Sequence, residues 1–266
     1  WAEDDTDDDV LVVKNDAPGS FGLGTTPVRF SATDSSLNEG YRYGFVNVVL
    51  WYSMIAYVSE ESPGGKKGIY FTDPEGLHVR PVTLGDSDTE VRGGAWSVDG
   101  SMYAFASNHL GTYGIYVIDV KDGTLEEVAN IEGVEENWQV SWSASGRLAW
   151  EADSEGSYDI YVATKNDYGT WKTVNWTPGS ASSHDRDPAW SLNGRNLAFS
   201  SDRSRDFDIY VTDSPVDGEN TDREIQDNAW NDRYPAWSKD GTIAYSSVNG
   251  ETVKFSTVDS GNNVLD

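Results

Sequence analysis

Four residues before each of four Trp-Ser pairs stands a side chain suited to gripping an acidic or aromatic group: Arg92, Trp138, Arg186 and Arg233. Three of only 11 Arg thus share one step of an internal repeat, in a chain whose formal charge is −26. A guanidinium binds a carboxylate or phosphate through two parallel hydrogen bonds, and an indole offers a stacking face. If the four positions fall on one ring, they form a site for an acidic ligand or a peptide terminus, with Asp187 and Tyr234 beside them. The competing use is structural. Each Arg would pair with the Asp next to it, or with one on the next repeat, and tie the ring together.

Other chemistry is sparse. The HExxH, GxSxG and GxxxxGKS/T patterns are missing, and there is no Cys to serve as nucleophile, thiolate ligand or disulfide partner. His78, His109 and His184 share no repeat position, which argues against a three-His metal site. Carboxylates are too numerous for an acid–base couple to stand out. Asp213, Asp217 and Glu224 match positions 1, 5 and 12 of an EF-hand loop, but Pro215 occupies position 3 and no helices flank it. Asp202, Asp206 and Asp208 cluster in one connection between strands, where Asp also serves as a turn former. No metal is therefore expected, and calcium is the one cofactor the sequence would admit. Asn175-Trp176-Thr177 is a glycosylation sequon.

The elements that must position these residues follow from the repeat itself. Trp96-Ser97, Trp142-Ser143, Trp190-Ser191 and Trp237-Ser238 recur at intervals of 46, 48 and 47 residues, each followed by a Gly three residues after the Ser. A small–aromatic pair comes next: Ala104-Phe105, Ala149-Trp150, Ala198-Phe199 and Ala244-Tyr245. Then comes Gly114-Ile115-Tyr116-Val117, with copies at Asp159–Val162 and Asp208–Val211 and a degraded one at Val253-Lys254-Phe255. An irregular earlier copy holds Ala56-Tyr57 and Gly68-Ile69-Tyr70-Phe71, making five units. Each reads as four short strands separated by Gly, Asp, Asn and Ser. In the fourth unit the expected strands are 188–191, 196–200, 207–212 and 223–226. Four antiparallel strands per repeat at this period predict an all-β chain, a single β-propeller.

Asp187-Pro188-Ala189-Trp190-Ser191, Leu197-Ala198-Phe199-Ser200-Ser201-Asp202-Arg203 and Asp208-Ile209-Tyr210-Val211 resemble the TolB-type (PD40, WD40-like) propeller repeat. The resemblance runs from about Tyr41 to the C-terminus and is sharpest in the fourth unit. It implies a propeller often found outside the cytoplasm, and it does not imply one activity. The expected blades are 41–85, 90–131, 136–177, 185–228 and 232–266. Residues 10–40 would supply a strand that closes the ring of five, or else part of a sixth blade. The tract 1–9, with five Asp, reads as a solvated tail or linker. The first residue is Trp1, not Met, and reads as the product of processing or trimming.

Composition excludes several classes. With 19 basic and 45 acidic residues the chain does not suit nucleic acid, and no apolar run is long enough for a transmembrane helix. The acidity fits a high-salt source or an ordinary acidic exported protein. In the first case the melting temperature should rise as NaCl goes from low to molar concentration, because screening relieves self-repulsion. A melting temperature indifferent to salt would remove that reading.

Together these features describe a non-catalytic extracytoplasmic propeller that binds a protein, peptide or glycan through its channel mouth and loops. The alternatives are a glycan-active lyase or hydrolase working in the central funnel, and a structural module of a larger surface protein.

Overall fold

A computed structural model describes residues 14–15, 24–33, 39–48, 54–59, 68–82, 84, 89–130, 137–154, 156–178, 183–212, 222–226, 229–259 and 264–265. Every regular element among them is a strand. The chain divides into two compact units, Trp1–Trp51 and Tyr52–Asp266.

The first unit is an antiparallel sheet of β1 (Lys14–Asn15), β2 (Gly24–Thr33) and β3 (Glu39–Val48). β2 and β3 pair along their whole length, from Gly24 opposite Val48 to Thr33 opposite Glu39. Residues 41–48, which the repeat reading gives to the first blade, therefore belong to a hairpin with 24–33. A short connection makes such local pairing cheap in chain entropy. The acidic tract 1–9 lies outside the described residues.

The second unit begins with a three-stranded sheet, β4 (Ile55–Ser59), β5 (Gly68–Thr72) and β6 (Arg80–Val82). Four sheets of four antiparallel strands follow, each in simple chain order. The second sheet holds β7 (Val91–Trp96), β8 (Met102–Ser107), β9 (Gly114–Asp119) and β10 (Leu125–Ala129). The third holds β11 (Asn137–Trp142), β12 (Leu148–Ser154), β13 (Ser157–Lys165) and β14 (Trp171–Asn175). The fourth holds β15 (Asp185–Trp190), β16 (Leu197–Ser201), β17 (Asp208–Thr212) and β18 (Arg223–Gln226). The fifth holds β19 (Asn231–Trp237), β20 (Thr242–Asn249), β21 (Thr252–Asp259) and β22 (Val264–Leu265). In this last sheet the outer place, expected for an N-terminal strand, is taken by β22, with Leu265 opposite Thr257. The hairpin partner is simply nearer along the chain.

The cores lie between consecutive sheets, and the small–aromatic pair explains how they fit. Neighbouring residues of a strand point to opposite faces. On β12, Ala149 packs toward the fourth sheet and Trp150 toward the second. On β16, Ala198 packs toward the fifth sheet and Phe199 toward the third. Each large ring thus meets a small Ala of the preceding sheet: Trp150 with Ala104, Phe199 with Ala149, Tyr245 with Ala198. Large against small lets the sheets interdigitate at interior density. The repeat Trp adds ties, since the Trp237 indole donates to the Ala189 carbonyl at 2.9 Å.

The first strands of the four-stranded sheets lie side by side, β7 by β11, β11 by β15 and β15 by β19. Each carries a one-residue bulge at the same step. Arg92 opposes Ala106 while Ala95 opposes Ala104, and Arg186 opposes Ser200 while Ala189 opposes Ala198. Arg233 opposes Ser246 while Ala236 opposes Ala244, and Trp138 opposes Glu151 while Val140 opposes Trp150. Pairing before the bulge explains why β15 starts at Asp185 rather than at 188. Pro188 and Pro235 sit inside their bulges, where no ladder N–H is required.

Candidate functional site

The residue after each ring Arg lies in the left-handed backbone region: Gly93 at φ 54°, Asp187 at 57° and Tyr234 at 58°. Gly93 is the favourable case, and a Cβ there would stand 3.1 Å from the Gln139 backbone of β11. Asp carries less strain in this conformation than Tyr, but both are strained relative to Gly. A bulge bends its strand and re-aims the side chains beside it. All three Arg are thus set at one register, at the same end of the first strands of their sheets. Trp138 holds that register on β11, and its side chain lies outside the described residues.

The three guanidinium groups differ in what they meet. Arg92 meets partners of its own sheet. Its Nε and Nη2 donate to Glu90 Oε2 at 3.1 and 2.7 Å, and the Tyr113 hydroxyl donates to the same oxygen at 2.6 Å. Arg233 crosses to the fourth sheet, where its Nε donates to Asp187 Oδ2 at 2.8 Å. Its guanidinium also lies 4.5 Å from the Phe207 ring centre and 5.1 Å from that of Tyr234. This is the stapling use of the ring. Arg186 lies against an aromatic face instead, with Cζ 3.6 Å from the centre of the Tyr158 ring of the third sheet. Tyr234 is 56% exposed at the same rim.

A residue not singled out from the sequence completes the cluster. Glu151 on β12 occupies the step opposite the ring position, where the other sheets have Ala106, Ser200 and Ser246. A lone carboxylate among small residues was the available signal. Its side chain is 4% exposed, and its Oε2 accepts the Asp187 N–H at 2.7 Å, capping the strained bulge of the next sheet. Contacts therefore run Glu151 to Asp187 to Arg233 across three sheets. Burial pushes the Glu151 carboxyl up to about 7, and the Asp187 charge adds to this. The Asp187 N–H and the charges of Arg186 and Arg233 oppose the rise.

A second polar cluster, on the fourth sheet, absorbs several calcium candidates. Arg203 Nη2 donates to both oxygens of Asp185, each at 2.9 Å, and Nη1 to Asp222 at 2.7 Å. Asp202 accepts the His184 N–H at 2.6 Å, Asp208 accepts the Ser204 hydroxyl, and Glu224 accepts the Tyr210 hydroxyl at 2.9 Å. Asp206 is half-buried in the same loop. Asp213 and Asp217 lie outside the described residues. Among those residues, no group of three or more His, Cys, Asp or Glu is arranged to hold a metal ion. Asn175 of the sequon donates to Asp159 at 2.8 Å, and Thr177 accepts the Ile160 N–H at 2.9 Å. No helix of the described residues is long and apolar enough to cross a membrane.

Comparison with known proteins gives concordant results. The family profile of the TolB beta propeller domain, PD40, matches residues 49–265. The Tol-Pal system protein TolB of Francisella tularensis subsp. mediasiatica is 26% identical over 123 residues, covering 44% of this chain. The matched region is 28% of that relative's length, so this chain accounts for only part of it. Among solved structures, TolB from Acinetobacter baumannii has a TM-score of 0.62 at 19% identity, covering 96% of this chain and 68% of that one. A puromycin-hydrolysing peptidase of Mycobacterium tuberculosis has a TM-score of 0.61 at 13% identity, covering 90% of this chain and 45% of that one. At these identities the structural likeness speaks for fold alone.

Proposed function

The chain belongs to the TolB beta propeller domain (PD40) family, and from that premise we propose that it is a non-catalytic propeller binding a protein or peptide through the rim that carries Arg186. One observation carries this reading. Arg92 and Arg233 are each engaged by a carboxylate, whereas Arg186 has none within ion-pair distance among the described residues. The Tyr158 ring, 3.6 Å from Cζ, limits the motion of the guanidinium, whose N–H groups would receive the ligand carboxylate. Less side-chain freedom is then lost on binding. The strained, exposed Tyr234 supports the same surface, because backbone strain persists mainly where function keeps it.

The test uses an acetylated, amidated tetra-aspartate peptide as probe. Arg186→Ala should weaken its binding at least tenfold in calorimetric titration, while changing the melting temperature little. Equal binding by the variant would overturn the reading.

Closure of five sheets into one ring belongs to the same proposal, supported by the four inter-sheet cores. So does a place outside the cytoplasm, supported by the repeat's resemblance and the acidic composition. The reading invokes no cofactor. A glycan-active enzyme is the second reading, and Glu151 favours it, since a buried carboxyl with a raised pKa is what a general acid requires. Turnover of an oligosaccharide that Glu151→Gln abolishes would turn the choice toward it.

A further inference from the structure

Glu151 has no counterpart in the repeat, and its surroundings join two ring positions that otherwise behave differently. Arg186 and Asp187 are consecutive on β15, and the Asp187 N–H donates to Glu151 Oε2 at 2.7 Å. Asp187 in turn holds Arg233 of β19 at 2.8 Å. The charged neighbours of Glu151 are therefore Arg186, Asp187 and Arg233, all from sheets further along the chain. Within its own sheet it stands opposite Trp138 on β11 and Ile160 on β13. The nearby acid of β13, Asp159, is held by Asn175. Across the interface, β16 presents Ser200 at the equivalent step.

In this cluster two carboxylates share two guanidinium groups. Arg233 is paired with Asp187, whereas Arg186 has no carboxylate within ion-pair distance among the described residues and acts on Glu151 through its charge. An incoming ligand carboxylate on Arg186 competes for that charge and places a third negative charge in a buried setting. Like charges brought together at low dielectric cannot all stay ionised, and the most buried one takes a proton. Protonation leaves the backbone contact intact, because the unprotonated oxygen of Glu151 still accepts the Asp187 N–H.

We propose that Glu151 couples acidic-ligand binding at Arg186 to proton uptake: the ligand carboxylate and the Glu151 proton arrive together, and ionised Glu151 opposes binding. This rests on the rim being the binding site. The resting carboxyl, which titrates near 7, places the exchange in the neutral range. The proton comes from solvent and returns to it on release.

The experiment is calorimetric titration of the wild type with acetylated tetra-aspartate amide from pH 6 to 8.5, at fixed ionic strength. Each pH is run in two buffers of different ionisation enthalpy. The wild type should lose up to about tenfold in affinity per pH unit above 7 and take up close to one proton, as linkage requires. Glu151→Gln should bind with no pH slope and no proton uptake. Glu151→Ser, which copies the residue of the fourth and fifth sheets, serves as a second variant should Gln perturb folding. The Nδ1 of His184 accepts the Tyr158 N–H at 3.3 Å, which places a second ionisable side chain near Arg186. It is present in all three proteins, so the difference between them isolates Glu151. An unchanged slope in both Glu151 variants, with binding still lost in Arg186→Ala, overturns the coupling and leaves the binding site standing. Binding indifferent to Arg186→Ala, or no binding by the wild type at any pH, overturns both.

Discussion

Arg233→Ala will destabilise the protein by about 3–5 kcal/mol, the usual cost of removing one partner of a buried ion pair. Asp187 is only 3% exposed and forms an ion pair with Arg233. Removing the guanidinium leaves that carboxylate charged, out of water and beside Glu151, in a bulge whose backbone is already strained. The packing of Arg233 over Phe207 is lost as well. Urea unfolding at pH 8 measures the effect. Asp187→Asn in the Arg233→Ala background should recover part of the loss, because the amide removes the stranded charge. A loss below about 1 kcal/mol, the range of exposed pairs, would show that Arg233 is not a staple. Arg186→Ala is the contrast: it strands no paired carboxylate and should cost far less.

Glu151→Gln will stabilise the protein at pH 8 by about 3 kcal/mol and leave it nearly unchanged at pH 4. The folded-state value of about 7 lies above the ordinary value of 4.5. As pH rises past 4.5 the unfolded chain releases this proton while the folded protein retains it. Stability therefore falls between 4.5 and 7 and the loss is complete above 7, at about 1.4 kcal/mol per unit of pKa difference. Glutamine carries no charge to desolvate, and its carbonyl oxygen can still accept the Asp187 N–H. The difference between the two unfolding curves should open through this window and then level off. A difference that is constant with pH would mean that Glu151 does not titrate there.

These two residues separate what is local in the chain from what is not. The five repeat units, the fourth-unit strands and the step shared by Arg92, Trp138, Arg186 and Arg233 are legible in the sequence. Tight turns demand Gly at fixed places, and strand faces alternate with period two, so pattern and spacing specify each sheet by itself. The small–aromatic pair likewise announces packing between sheets. Less was legible at the chain's beginning, where the Trp-Ser-Gly frame is missing. The hairpin of 24–33 with 39–48 there, and β22 in the outer place of the last sheet at the other end of the chain, followed from nearness along the chain.

What each ring side chain does was decided by the tertiary structure. Arg233 meets an Asp 46 residues earlier, and Glu151 meets a backbone N–H 36 residues later. Such pairings depend on how far one sheet is turned and shifted against the next, which no spacing within a repeat encodes. Arg92, Arg186 and Arg233 are equivalent in the sequence. The partners they meet differ: Glu90, two residues away, for the first, and Tyr158 and Asp187 of the preceding sheets for the second and third. Burial completes the distinction, because the sheets that close over Glu151 raise its proton affinity, which no feature of its repeat unit encodes.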